Sequence, residues 1–183
     1  MKRILFIFVL ILTSSCSSSK VINASTNNVD SAKTPENPEI LVGKHNRSAL
    51  EQEPYSSWFN TNYKEYSFDT ATVKKLSPYL KNITIKAFMG TWCGDSKRET
   101  PAFYKILDNA SFDFENLELI TVSKDKDTPQ GFEKGANIMR VPTFIFYKDG
   151  KEIGRYVEFA RETLEKDILA IVSNQSYKHS YED

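Results

Sequence analysis

Cysteine is nearly absent from this chain. Cys16 and Cys93 are the only two among 183 residues, which excludes a framework of several internal disulfides and leaves at most one intrachain bridge. Net charge is absent as well: 24 Lys and Arg offset 24 Asp and Glu, so no bulk field gathers nucleic acid or an anionic membrane surface, and a nucleic-acid role has no support. Histidine is confined to His45 and His179. Neither has a partner at ligand spacing, so no metal site is expected and both read as solvated. Internal repeats are missing. What is there, 40% apolar and 26% charged residues, fits one ordinary globular domain with extensions.

The N-terminus carries the longest apolar run. Lys2 and Arg3 precede nine unbroken apolar residues, Ile4 to Leu12, and then Thr13-Ser14-Ser15-Cys16. That order of charged, apolar and small residues is that of a secretory signal, and nine residues fall far short of the roughly 20 that span a bilayer as a helix. The cysteine after small residues resembles the lipobox of bacterial lipoproteins, with Thr13 where that pattern usually has Leu. The resemblance implies a signal peptide over 1–15 and acylation at Cys16; cleavage of a soluble secreted protein is the alternative, and a buried first strand a third. An acylated Cys16 leaves Cys93 as the one free thiol. From Ser17 to Ile40, Ser, Thr and Asn supply 11 of 24 residues, with Pro35 and Pro38. Such a segment cannot repay the entropy of ordering and reads as a tether with a mean reach of roughly 27 Å. The domain plan is therefore a signal at 1–15, an acylated cysteine and tether at 16–53, a folded domain at 54–175 and a polar tail at 176–183. Residues 41–62 are ambiguous, although Tyr55, Trp58 and Phe59 point to a short helix that caps the domain, with core packing as the use of the aromatics.

From about Tyr63 strand and helix signals alternate. Tyr66 and Phe68 suggest a short strand. Asp69 and Thr70 are N-cap candidates for a helix through Val73, Leu76 and Leu80, fraying at Pro78. Ile83 to Met89 reads as a strand that runs into Trp92-Cys93-Gly94-Asp95-Ser96, and a helix follows with Phe103, Ile106, Leu107 and Ala110 on one face and Pro101 expected to kink it. Leu117 to Val122 and Thr143 to Tyr147 are further strands, Asp149-Gly150 turns into Ile153 to Val157, and a last helix runs from Arg161 to Val172. The charge run Lys124 to Asp127 reads as an exposed loop. The pattern predicts an α/β fold, a three-layer sandwich of a mixed sheet with helices on both faces.

Trp92-Cys93-Gly94 followed by Lys97 at a strand end, Pro101 eight residues past the cysteine, Val141-Pro142-Thr143 opening a later strand and the Asp149-Gly150 hairpin together resemble the thioredoxin superfamily. The resemblance covers about Tyr63 to Val172. It implies that Pro142 is a cis-proline beside the active cysteine and that Val141 offers backbone hydrogen bonds to an extended substrate. Two positions depart from the family. Its buried acidic residue six positions before the cysteine falls on Ala87, and the glycine after its hairpin strand falls on Glu158, which places a charge near the docking surface.

The residues themselves give a site reading beside this one. Cys93 stands where a strand ends and a helix begins, so free N–H groups and the helix dipole favour its thiolate, while Asp95 opposes it and Lys97 and Arg98 act against Asp95, which leaves the sign of the net effect open. Trp92 shields one side, and Gly94 lets another backbone approach. Ser96 stands where a resolving thiol would be; it can cap the helix or donate to the thiolate, but it cannot perform exchange.

A lone thiolate can attack a disulfide and form a mixed disulfide, whose resolution then needs a substrate thiol or an external one. The expected activity is thus monothiol thiol–disulfide exchange, an oxidoreductase or isomerase of Cys-x-x-Ser type, with Cys93 and Ser96 as catalytic residues and Trp92, Gly94, Asp95, Val141 and Pro142 binding substrate. The alternative is a redox-inactive peptide-docking scaffold. A third reading rests on a resemblance of Cys-Gly-x-Ser to the monothiol glutaredoxins, which hold iron–sulfur clusters; Trp92 and the export signal argue against it. No cofactor is expected. The expected partners are cysteine-containing envelope proteins or small thiols and, through the lipid anchor, a membrane. The chain is expected to be a monomer in the bacterial cell envelope, facing the periplasm or the exterior.

Overall fold

The computed structural model describes residues 32–33 and 40–183; Cys16, the signal segment and most of the expected tether lie outside these residues. In chain order the strands are β1 (Ala32–Lys33), β2 (Leu41–His45), β3 (Ile83–Met89), β4 (Leu117–Thr121), β5 (Thr143–Lys148) and β6 (Lys151–Val157). The helices are α1 (Ser56–Glu65), α2 (Thr70–Leu76), α3 (Gly94–Asn109) and α4 (Leu164–Val172), with short 3₁₀ turns between them. One sheet has the order β1-β2-β4-β3-β5-β6. Among the described residues only β3 and β4 run parallel, with Phe88 beside Ile120, and β5 and β6 form an antiparallel hairpin through Asp149 and Gly150, both at positive φ. This is the expected α/β, thioredoxin-like architecture of a mixed sheet layered with helices.

The period-two alternation of the strands sorts side chains into two cores. The larger takes Ile83, Ile85, Ala87 and Met89 of β3, Phe144 and Phe146 of β5, and the buried stripes of all four helices. Its centre is aromatic: Phe103 of α3 stacks on Phe144 at 4.0 Å, and Phe144 on Tyr156 at 5.4 Å. Alternate strand positions, Phe88, Ile120 and Ile145, join Val122 and Val141 in a smaller core against which Trp92 and Cys93 pack. The site thus sits over the smaller core, at the end of β3.

Helix ends follow local chemistry. Asp69 caps α2 by accepting the Ala71 amide, and Thr163 caps α4 by accepting that of Lys166. The last helix starts at Leu164 rather than at Arg161, because the buried Asp167 carboxylate accepts the amides of Arg161 and Glu162 and holds them in a loop. Pro101 lies inside α3. A proline has no N–H for the carbonyl four residues back. Here the side-chain amide of Asn62 in α1 donates to Lys97 O at 2.9 Å instead, so the proline joins two helices.

Four expectations change. Residues 40–53 belong to the folded unit rather than the tether: Ile40, Leu41 and Val42 are buried, and β2 pairs with β4 through Gly43, Lys44 and His45. Tyr66 and Phe68 form no strand; they follow α1 as a link, tied down by the Tyr66 hydroxyl on the buried Glu165 carboxylate at 2.8 Å. His45 is buried rather than solvated, with no hydrogen-bond partner for Nε2 among the described residues, and burial lowers its pKa from 6.5. The tail folds back: Tyr177 donates to Asp167 at 3.1 Å, Ser180 to Phe159 O at 2.6 Å, and half-buried His179 lies 3.7 Å from Glu182.

Candidate functional site

The turn after β3 is built around the cysteine. Cys93 is the N-cap residue of α3, in extended conformation, and its amide donates to Gly90 O at 3.0 Å while its carbonyl accepts Lys97 N at 3.0 Å. Its side chain makes no capping bond. The indole of Trp92 is pinned by Nε1 donating to Val122 O at 3.0 Å. A Cβ on Gly90 would fall 2.6 Å from Trp92 Cε2 and 2.7 Å from Nε1, so glycine is required there for the tryptophan to lie flat over the turn. A Cβ on Gly94 would meet nothing within 4 Å, which leaves open the approach expected at that residue.

The second wall is the loop before β5. The Val141–Pro142 peptide is cis, and Cys93 Sγ, partly exposed, donates its proton to Val141 O at 3.2 Å. Glu158 N donates to Pro142 O at 2.8 Å, and the Thr143 hydroxyl to Arg140 O at 2.7 Å. Trp92, Cys93, Gly94, Asp95, Ser96, Val141 and Pro142, all singled out from sequence, therefore come together. Cys16 lies outside the described residues.

One of these side chains, Ser96, acts differently from expectation. The Asp95 carboxylate is engaged by Arg98 at 2.8 Å, which draws its charge into an ion pair. Ser96 is fully buried, and its hydroxyl accepts the Gly90 amide at 3.1 Å. No hydrogen bond joins it to Cys93 among the described residues; its work is to lock the end of β3 to α3. The Glu158 charge, expected to stand on the docking surface, is paired with Arg140 at 3.2 Å and with the Tyr181 hydroxyl.

Three contributors are not visible in the sequence pattern. Glu99, buried in α3, accepts the Tyr156 hydroxyl at 2.8 Å and pairs with Arg98 at 2.8 Å. Burial first, and then the Glu99 carboxylate, push the Tyr156 hydroxyl far above the usual phenol range, so it remains a donor. Gly90 and Asn62 are the others. Glu99 and Asn62 act on neighbours distant in sequence, Tyr156 and Lys97, whereas Gly90 acts on Trp92 two residues on, through a contact that exists only in the folded turn. Among the described residues no group of three His, Cys, Asp or Glu is placed to hold a metal ion. The arrangement offers one accessible thiol, an indole wall, an unobstructed glycine and a backbone edge.

A family model described as thioredoxin matches residues 45–171, more than half of the chain. A thioredoxin-like protein of Acanthamoeba polyphaga mimivirus is 29% identical over 89 residues, which span 49% of this chain and 62% of that relative, less than two thirds of its length. An H-type thioredoxin of Populus jackii is 25% identical over 137 residues, 74% of this chain and 94% of its own. Thioredoxin of Gallus gallus is 27% identical over 92 residues, 50% of this chain and 82% of its own. A solved structure of a protein of unknown function from Pseudomonas aeruginosa superposes with a TM-score of 0.55 at 14% identity, over 71% of this chain and 92% of that one, a likeness of fold alone. With the family model spanning β2's end to α4 and the thiol, tryptophan and cis-proline meeting at one site, the chain belongs to the thioredoxin family.

Proposed function

We propose that this protein performs monothiol thiol–disulfide exchange through Cys93 while tethered to a bacterial envelope membrane by a lipid on Cys16. The observation that carries the reading is the placement of a single partly exposed sulfur at the head of α3, 3.2 Å from Val141 O, with a buried serine three residues on. The Cys93 thiolate attacks one sulfur of a substrate disulfide, forming the Cys93 mixed disulfide and releasing the other substrate sulfur as a thiolate, which takes up a proton. Ser96 cannot resolve this intermediate. A second substrate thiol that attacks the mixed disulfide releases Cys93 and leaves the substrate isomerised; an external thiol that attacks the substrate sulfur instead releases the Cys93 thiolate and forms a disulfide with the substrate, which a second external thiol attacks to give the oxidised external disulfide and the reduced substrate. Val141 and Gly94 supply the backbone edge along which an extended peptide lies, and Trp92 walls the other side. The partners are cysteine-containing envelope proteins and small thiols, and the chain acts as a monomer facing the periplasm or the exterior. No helix among the described residues is long and apolar enough to cross a membrane, and the anchor in this reading is the acyl group. Trapping mixed disulfides on the intact protein in its native envelope tests the proposal: species that disappear with Cys93→Ala support it, and identical patterns with and without Cys93 leave only a docking scaffold.

A further inference from the structure

Glu158 has a left-handed backbone, with φ of 65°, a conformation that a side chain's Cβ disfavours. Something must hold it there. Its amide donates to Pro142 O at 2.8 Å, and its carboxylate, on the other side, accepts the Tyr181 hydroxyl and Arg140 Nη1, the latter at 3.2 Å. The Arg140 guanidinium lies 3.8 Å from the Tyr181 ring centroid, and Tyr181 packs edge-on against Phe159 at 5.7 Å. The tail that carries Tyr181 is moored by Ser180 on Phe159 O at 2.6 Å and by Arg161 on the carbonyls of His179 and Glu182, both at 3.3 Å. Arg140 immediately precedes Val141, and Glu158 is bonded to Pro142, so the contacts grip the Val141–Pro142 unit from both sides. The Tyr181 hydroxyl holds its proton more tightly than an ordinary phenol, chiefly through its hydrogen bond to Glu158, with the Arg140 charge opposing.

We propose that the C-terminal segment is part of the thiol site: Tyr181 and Arg140 clamp Glu158 in its left-handed conformation, and the clamp positions the loop that holds the Val141 carbonyl against Cys93. Tyr181 is a positioning residue in this scheme, and its bearing on exchange rests on the reading of Cys93 as the reactive group.

The test exploits the one residue that takes this backbone freely. Four chains are compared: the unaltered protein, a chain ending at residue 175, Glu158→Gly, and the two changes together, with Tyr181→Phe as a milder variant. Amide exchange at position 158, followed by NMR, reports the clamp, and iodoacetamide alkylation reports Cys93. Truncation raises exchange at position 158 by about tenfold and quickens alkylation by about threefold, whereas in the Glu158→Gly background it changes either by less than about twofold, because glycine needs no clamp. Tyr181→Phe raises exchange by about threefold and decides the matter alone if circular dichroism shows that the truncated chain is unfolded. Unchanged exchange after both the truncation and Tyr181→Phe, or an equal effect of truncation in the two backgrounds, overturns the clamp. A Cys93 that alkylates no faster than cysteine in an unstructured peptide would overturn the proposed function, and the amide exchange would still decide the clamp.

Discussion

Gly90→Ala is the sharpest single perturbation of the site that leaves the sulfur itself alone. Gly90 has no positive φ to accommodate, so the cost of a methyl group there is steric. The added carbon would lie 2.6, 2.7 and 3.0 Å from Trp92 Cε2, Nε1 and Cζ2, and the indole cannot retreat without giving up its 3.0 Å bond to Val122 O. Overpacking of this kind costs about 1–3 kcal/mol, and the lost hydrogen bond adds about 1 kcal/mol. A total of about 2–4 kcal/mol shifts a urea midpoint down by roughly 1–2 M at the denaturant sensitivity usual for a domain of this size. Urea unfolding of Gly90→Ala, Trp92→Ala and the double variant measures it, with Gly94→Ala as control, since a Cβ there meets nothing within 4 Å. The double variant recovers most of the loss, because truncating the indole removes the clash, and Gly94→Ala stays within about 0.5 kcal/mol of the parent. An equal cost of Gly90→Ala with and without the indole would refute the steric account and with it the idea that glycine sets the wall beside Cys93.

Asn62→Ala strands the Lys97 carbonyl that Pro101 leaves without a helical donor; thermal or urea unfolding should show a loss of about 1–2 kcal/mol, and Pro101→Ala combined with it should restore part of that loss by returning an N–H. The buried His45 gives a pH signature. Burial lowers its folded pKa below the ordinary 6.5, against a weaker opposing hydrogen bond to the Val42 backbone, so the unfolded chain binds a proton first as the pH falls. Its contribution is fully present above about pH 6.5 and is lost as the pH drops through the folded pKa. Stability measured from pH 8 to pH 5 should fall over the acid part of that range, less steeply in His45→Leu; parallel curves for the two would remove His45 as a cause.

Much of the fold is legible in the sequence because it rests on local periodicity. Ile83 to Met89 alternates and ends at the site, and Phe103, Ile106 and Leu107 mark one face of α3, so these elements are where the pattern places them. β2 is hidden for a physical reason. Four of its five residues are buried, on both faces of the sheet, which erases alternation, and Gly43, Lys44 and His45 resemble a loop. Tyr66 and Phe68 mislead in the opposite sense: two aromatics two apart imitate a strand, yet Tyr66 is used for its hydroxyl, which reaches a residue 99 positions away. The cysteine, tryptophan and cis-proline are found from sequence because they form a spaced motif. Arg98 is legible as the charge that answers Asp95, three residues away, but Gly90 on Ser96 and Tyr181 on Glu158 are ordinary residues whose roles exist only in three dimensions. Composition places residues 41–53, themselves ambiguous, with the tether and reads 176–183 as a polar tail; pairing with β4 in one case and hydrogen bonds from Tyr177, Ser180 and Tyr181 in the other bind both to the domain.

The central claim is that one sulfur forms a covalent intermediate which this chain cannot itself resolve. Intact-mass analysis of the Cys16→Ala chain after brief exposure to a small disulfide, followed by removal of the excess, measures this directly. The account predicts a single adduct on Cys93 that persists until an external thiol is added and is then released. A folded protein that acquires no adduct, or one that sheds it with no thiol present, would contradict it.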